Sequence, residues 1–145
     1  MRLRIQLLDS DAEHLDYAVW PVEPCDVILR YRDLPPTVRL LTPTLPAFAA
    51  MKTLAWMDRR TARDLFDLAG LARLGALTGT AANLVRRVSG LPVTPQTFRI
   101  APVAGWDAQL AHQTAVLPTA EECLQQVTGA YADALGWPPP YDPHS

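Results

Sequence analysis

The chain reads as an α+β protein in which a few N-terminal strands, antiparallel or mixed, precede a helical C-terminal region. Three observations predict this. Apolar and polar residues alternate with a period of two at the start of the sequence. Short β-prone runs, broken by prolines, then continue to Leu41. From Thr42 onward, apolar residues recur at helical spacing between capping signals. The expected organisation is strand-rich over residues 1–42, helical over 43–137 and a flexible proline-rich tail over 138–145.

Leu3, Ile5 and Leu7 alternate with Arg2, Arg4 and Gln6, which predicts a half-buried strand over residues 2–8. Asp9-Ser10-Asp11 ends it. Residues 12–26 read as a loop or an irregular strand. Val27-Ile28-Leu29 with Tyr31 suggests a second strand, and Val38–Leu41 a third after the Pro35-Pro36 break. Thr42-Pro43-Thr44 leads into a helix that runs to about Arg59, with Pro46 in its first turn, where proline is tolerated. A second helix is expected from about Thr61 to Leu74, with Leu65, Leu68 and Ala72 on its apolar face. Thr61 is its candidate N-cap, with Asp64 three residues on in the manner of a capping box. Gly75 suits the stop. A shorter helix spans Thr80 to Ser89 and closes at Gly90. Leu91 to Gly105 carries three prolines and reads as loop, with one turn at Thr94–Phe98. Trp106 to Ala115 is a helix candidate. Thr119-Ala120-Glu121-Glu122 is a capping box for a last helix to Leu135, stopped by Gly136, before the tail WPPPYDPHS.

At 145 residues the chain is long enough for one domain with a real core, and not for two. A hydrophobic content of 49% excludes disorder over most of the length. The net charge of −2 provides no global basic field for bulk nucleic acid. Any RNA contact must be local, through clusters such as Arg59-Arg60-Arg63 or Arg86-Arg87. Cys25 and Cys123 sit in no metal or redox motif and read as reduced thiols. His14, His112 and His144 show no metal spacing with them or with each other. No apolar run approaches the ~18 residues of a membrane span, and the N-terminus has charges inside its apolar stretch. A cytoplasmic, soluble protein without a membrane partner is the expectation. The four tryptophans read as core or interface, because no basic stripe accompanies them.

The stretch most charged with chemistry is MKTLAWMDRRTARDLFDLAGLARL, residues 51–74. Lys52 is a lone cation in an apolar helix, with Phe48, Ala55 and Trp56 at i−4, i+3 and i+4. Its ammonium either snorkels to water or meets an anion. Arg63 and Asp67 form an i,i+4 pair, and Asp64 and Asp67 share a face at i,i+3. These charges read either as a surface ion-pair lattice, with Asp64 capping its own helix, or as a polar site beside Lys52.

The pattern K-x-x-A-x-x-x-R-x-x-x-RD-x-x-DL, here Lys52, Ala55, Arg59, Arg63-Asp64 and Asp67-Leu68, resembles the C-terminal signature of the AbiEii-type (MenT-like) nucleotidyltransferase toxins of bacterial toxin–antitoxin systems. The match is specific over these positions and loose elsewhere. The resemblance implies a partial nucleotidyltransferase fold and transfer of a nucleotide from an NTP to RNA, in known cases the acceptor end of tRNA. It implies a cognate antitoxin as partner. It assigns catalytic roles to Lys52 and Asp67, with Asp64 as the other candidate carboxylate, and substrate binding to Lys52, Arg59 and Arg63. Such enzymes use Mg²⁺, held by a D-x-D carboxylate pair behind a G-S or G-G turn. In the resembled family that module precedes the strand at residues 2–8, so this sequence is expected to begin downstream of it. No metal ligand is assigned here. Asp9-Ser10-Asp11 has the letters but lacks the glycine turn, and reads as a strand end.

Two functions follow. The chain is either a nucleotidyltransferase toxin that needs its metal carboxylates from elsewhere, or a catalytically silent homologue that binds only a protein such as the antitoxin. A helical nucleic-acid-binding module is a weaker third reading, since it requires a basic face that the composition does not show.

Overall fold

Among the described residues, two antiparallel strands precede five helices, as the α+β class requires. The structure, a computed structural model, describes residues 20–28, 37–99, 103–114 and 116–138. The strand expected at residues 2–8, the Asp9–Asp11 turn and all of the tail beyond residue 138 lie outside the described residues. The chain divides into two compact units, Met1–Thr44 and Leu45–Ser145.

In the first unit, β1 (Val22–Ile28) pairs with β2 (Thr37–Pro43), Val22 opposite Pro43 and Ile28 opposite Thr37. The Thr44 N–H donates to the Pro21 carbonyl at 2.9 Å and extends the ladder by one bond. Strand β1 begins five residues before the predicted Val27, inside the stretch that reads as a loop or an irregular strand, and there the strand alternative holds. Glu23-Pro24 is what left the two open. Pro24 is tolerated because, among the described residues, β1 has a neighbour on one side only.

The second unit is helical: α1 (Leu45–Arg59), α2 (Ala62–Arg73), α3 (Gly79–Ser89), a 3₁₀ turn (Pro95–Phe98), α4 (Trp106–Leu110) and α5 (Ala120–Leu135). Alanine-rich α1 is a strong helix former and buries Ala47, Ala49, Ala50, Thr53 and Trp56. It packs on both α2 and α3, while α2 also packs on α5. The buried face of α2 is Leu65, Leu68 and Ala69 with Leu71. Predicted Ala72 is only half-buried. Trp56, Leu65, Leu68, Val85, Leu110, Val127 and Tyr131 form the centre of the core.

The ends are set by the expected chemistry. Thr78 accepts from the Ala81 N–H, and Gly90 closes α3 in the left-handed region. Thr119 and Glu122 make a reciprocal capping box, and Gly136 closes α5. Helix α4 stops at Leu110, earlier than predicted. The Thr61–Asp64 box differs in one bond. Thr61 Oγ1 accepts from the Asp64 N–H at 3.3 Å, but the Asp64 carboxylate takes its bond from the Thr61 hydroxyl, at 2.6 Å.

Candidate functional site

Lys52 lies midway along α1, at the margin of its buried face. Its Nζ donates to Asp67 Oδ2 on α2 at 2.7 Å, and both side chains keep about a third of their surface in water, 27% and 34%. The ammonium also lies 5.7 Å from the centre of the Phe48 ring, one turn earlier on α1. The lysine is therefore snorkelled and paired at once. Asp67 takes one of its three N–H donors, which leaves donors free for a second anion.

Asp64 stands in a different environment. It is 2% exposed, the one buried charged residue among those described. Arg59, at the end of α1, donates to its Oδ1 at 2.7 Å, and the Thr61 hydroxyl donates to Oδ2. Both carboxylate oxygens are thereby used to tie the end of α1 to the start of α2. The turn between these helices is only Arg60 and Thr61, and Arg60 carries it with φ of 52°. Its N–H bonds the Trp56 carbonyl at 3.0 Å, closing α1 where glycine is usual.

The two aspartates thus do not act as one carboxylate pair, although they share α2 at i,i+3. The expected Arg63–Asp67 pair is also replaced: Asp67 bonds Lys52, and Arg63 is exposed on the first turn of α2. Of the residues singled out by sequence, the fold joins Lys52 to Asp67 and Arg59 to Asp64, in two separate networks.

Beside Asp67 runs an open groove of about 460 Å³ walled by Phe48, Phe66, Gly70, Arg73 and Leu74. Arg73 is held there by a 3.0 Å bond to Gln126 Oε1 of α5. Phe66, Arg73 and Leu74 were not singled out from sequence. Their signal was present, since Phe66, Gly70 and Leu74 recur at i, i+4 and i+8 beside Asp67.

A divalent metal does not fit what is described. No group of three or more His, Cys, Asp or Glu comes together among the described residues. Asp64 and Asp67 are each engaged by a cation, and Asp64 is closed to water. Asp9 and Asp11 lie outside the described residues.

The family model described as Nucleotidyl transferase AbiEii toxin, Type IV TA system, matches residues 13–126. No curated protein and no solved structure matches the chain.

Proposed function

Because the chain belongs to the AbiEii nucleotidyl transferase toxin family of type IV toxin–antitoxin systems, we propose that Lys52 is the phosphate contact of an NTP-dependent nucleotide transfer to RNA, with tRNA the first acceptor to test. The observation that carries this is the partly exposed Lys52–Asp67 pair at the edge of an aromatic-walled groove. Nucleotidyl transfer moves negative charge onto the departing pyrophosphate, and a cation already fixed in place stabilises that charge. Asp67 holds the ammonium aimed, as a positioning residue. Asp64 and Arg59 shape the turn that sets α2 against α1, and neither is assigned to substrate. Arg63 is free to meet a phosphate from solvent.

The antitoxin is the expected protein partner, and the cytoplasm, where NTP and tRNA are present, the expected compartment. Metal-dependent activation of the acceptor needs carboxylates from outside the described residues: Asp9 and Asp11, a segment upstream of residue 1, or a second polypeptide. The engagement of both Asp64 and Asp67 by cations favours, as the second reading, a chain that only binds the antitoxin.

The test is transfer of label from each of the four NTPs to bulk tRNA in Mg²⁺ buffer, by the native chain and by Lys52→Ala. Transfer that is lost in Lys52→Ala is the expected result. A folded native chain that transfers nothing supports the binding-only reading.

A further inference from the structure

A second groove, of about 450 Å³, lies at the other end of α1, where the α1–α2 turn meets the loop after α3. Met57, Leu91 and Pro92 give it an apolar side, and Arg60, Thr94 and Gln96 a polar one. The two arginine clusters of the sequence, Arg59-Arg60-Arg63 and Arg86-Arg87, are far apart in the chain. Helix α3 packs on α1, and the chain that leaves the last turn of α3 lines the same groove as Arg60. Arg60 itself lines the groove, and Arg86 and Arg87 occupy the last turn of α3, which leads directly into Leu91 and Pro92. Arg60, Arg63, Arg86, Arg87 and Arg99 are all exposed.

The surrounding charge is one-sided. Residues 45–99 carry eight Lys and Arg against three Asp and Glu, whereas residues 100–145 carry no Lys or Arg and five Asp and Glu. The overall charge of −2 hides this division. Two of the three acids in the basic half, Asp64 and Asp67, are already neutralised by partners. The backbone of Arg60 points the same way: an arginine occupies a left-handed position that glycine would fill without strain.

We infer that this groove binds one nucleotide of a single-stranded RNA, the base against Met57, Leu91 and Pro92 and the flanking phosphates against Arg60, Arg86 and Arg87. A flat base suits an apolar wall with an amide and hydroxyls at its rim, since unstacked bases are recognised by face contact plus hydrogen bonds to their edges. The Arg60 guanidinium in the lining, with exposed Arg86 and Arg87 on the helix turn that leads into it, suits a continuing phosphate backbone. An acidic peptide shares the charge complementarity and is the competing occupant that the test separates. The inference rests on the RNA acceptor of the proposed function only for the choice of ligand, because binding here needs neither metal nor transfer.

The test is fluorescence anisotropy of the full chain with a labelled eight-nucleotide single-stranded RNA, over a salt series, with a polyglutamate peptide as competitor. Arg60→Gly is expected to weaken binding at least about fivefold while melting no lower than the native chain. Arg86→Gln with Arg87→Gln is expected to reduce the slope of log K against log salt by about 1.4, the value for two lost phosphate contacts on a single strand. Arg39→Gln, an exposed arginine on β2, is expected to bind as the native chain does. The inference is overturned by an absence of RNA binding, by Arg60→Gly binding like the native chain, or by a loss in Arg39→Gln equal to that in Arg60→Gly. Displacement of RNA by an equal concentration of polyglutamate also overturns it and assigns the groove to an acidic protein partner.

Discussion

Asp64 and Asp67 are one helical turn apart, yet their environments assign them opposite work. Asp64 is closed to water and bonded at both oxygens, so removing it leaves Arg59 and Thr61 without their partner at a two-residue turn. Asp64→Ala is expected to lower stability by about 2–3 kcal/mol. Asp67→Ala breaks a pair that water already screens and should cost less than about 1 kcal/mol. Urea unfolding of both variants checks the contrast, and equal losses would contradict it. The motif residues were legible from sequence as a charged set, but their pairing was not. Helical spacing favours the local Arg63–Asp67 contact, whereas the actual partner of Asp67 lies 15 residues away on another helix. Only the crossing of α1 and α2 decides between them.

The elements are held in place by one buried polar link as well as by apolar packing. Thr53 Oγ1 donates to the Ala49 carbonyl at 2.9 Å, so its 2.7 Å contact with the Tyr131 hydroxyl is one in which tyrosine donates. This ties α1 to α5 through two fully buried side chains, and Tyr131 also stacks on Phe98 of the 3₁₀ turn at 5.7 Å. Burial pushes the Tyr131 hydroxyl from 10.0 up to about 12, against the opposing pull of its bond to Thr53. Because the folded value is the higher one, the unfolded chain gives up this proton first. Stability from this group is therefore complete below about pH 10 and is lost as the pH rises toward about 12, by roughly 2–3 kcal/mol in all. Tyr131→Phe should lose about 1 kcal/mol at neutral pH and show a shallower fall in stability across that alkaline window. Denaturation midpoints of both chains between pH 9 and about 12 test the sign. Most helix ends were legible because their signals are local: Thr119 with Glu122, then Gly90 and Gly136. The Thr53–Tyr131 link was not, since nothing within either helix announces a partner 78 residues away. The start of strand β1 stayed open between loop and irregular strand for the opposite reason, a local proline signal that a one-sided strand tolerates.

At the scale of the molecule, burial separates two thiols that sequence alone treats alike. Cys25 is exposed, and Cys123 is buried in the α5 core, where loss of solvent raises its thiol pKa despite the pull of Arg73. One thiol per native chain is expected to react rapidly with a disulfide reagent at mildly alkaline pH, and two after urea denaturation. Two fast thiols in the native chain would contradict the packing of α5. Overall composition concealed a second division. Near-neutral net charge argues against bulk nucleic acid, but the charges separate along the chain into a basic stretch over residues 45–99 and an acidic one over 100–145. The α+β class and the Lys52–Leu68 signature needed no structure, because both are patterns along the chain. Accessibility of each carboxylate and the two grooves did need it, because they arise between helices. The claim on which the functional account turns is that Lys52 has a donor left for a triphosphate while Asp67 holds it. Calorimetric titration of the full chain with a non-hydrolysable NTP measures this without requiring catalysis. Lys52→Met should weaken binding by about tenfold or more with its melting temperature nearly unchanged, and Asp67→Asn should fall between it and the native chain. Equal affinity in the native chain and Lys52→Met would contradict the account and remove Lys52 from the nucleotide site.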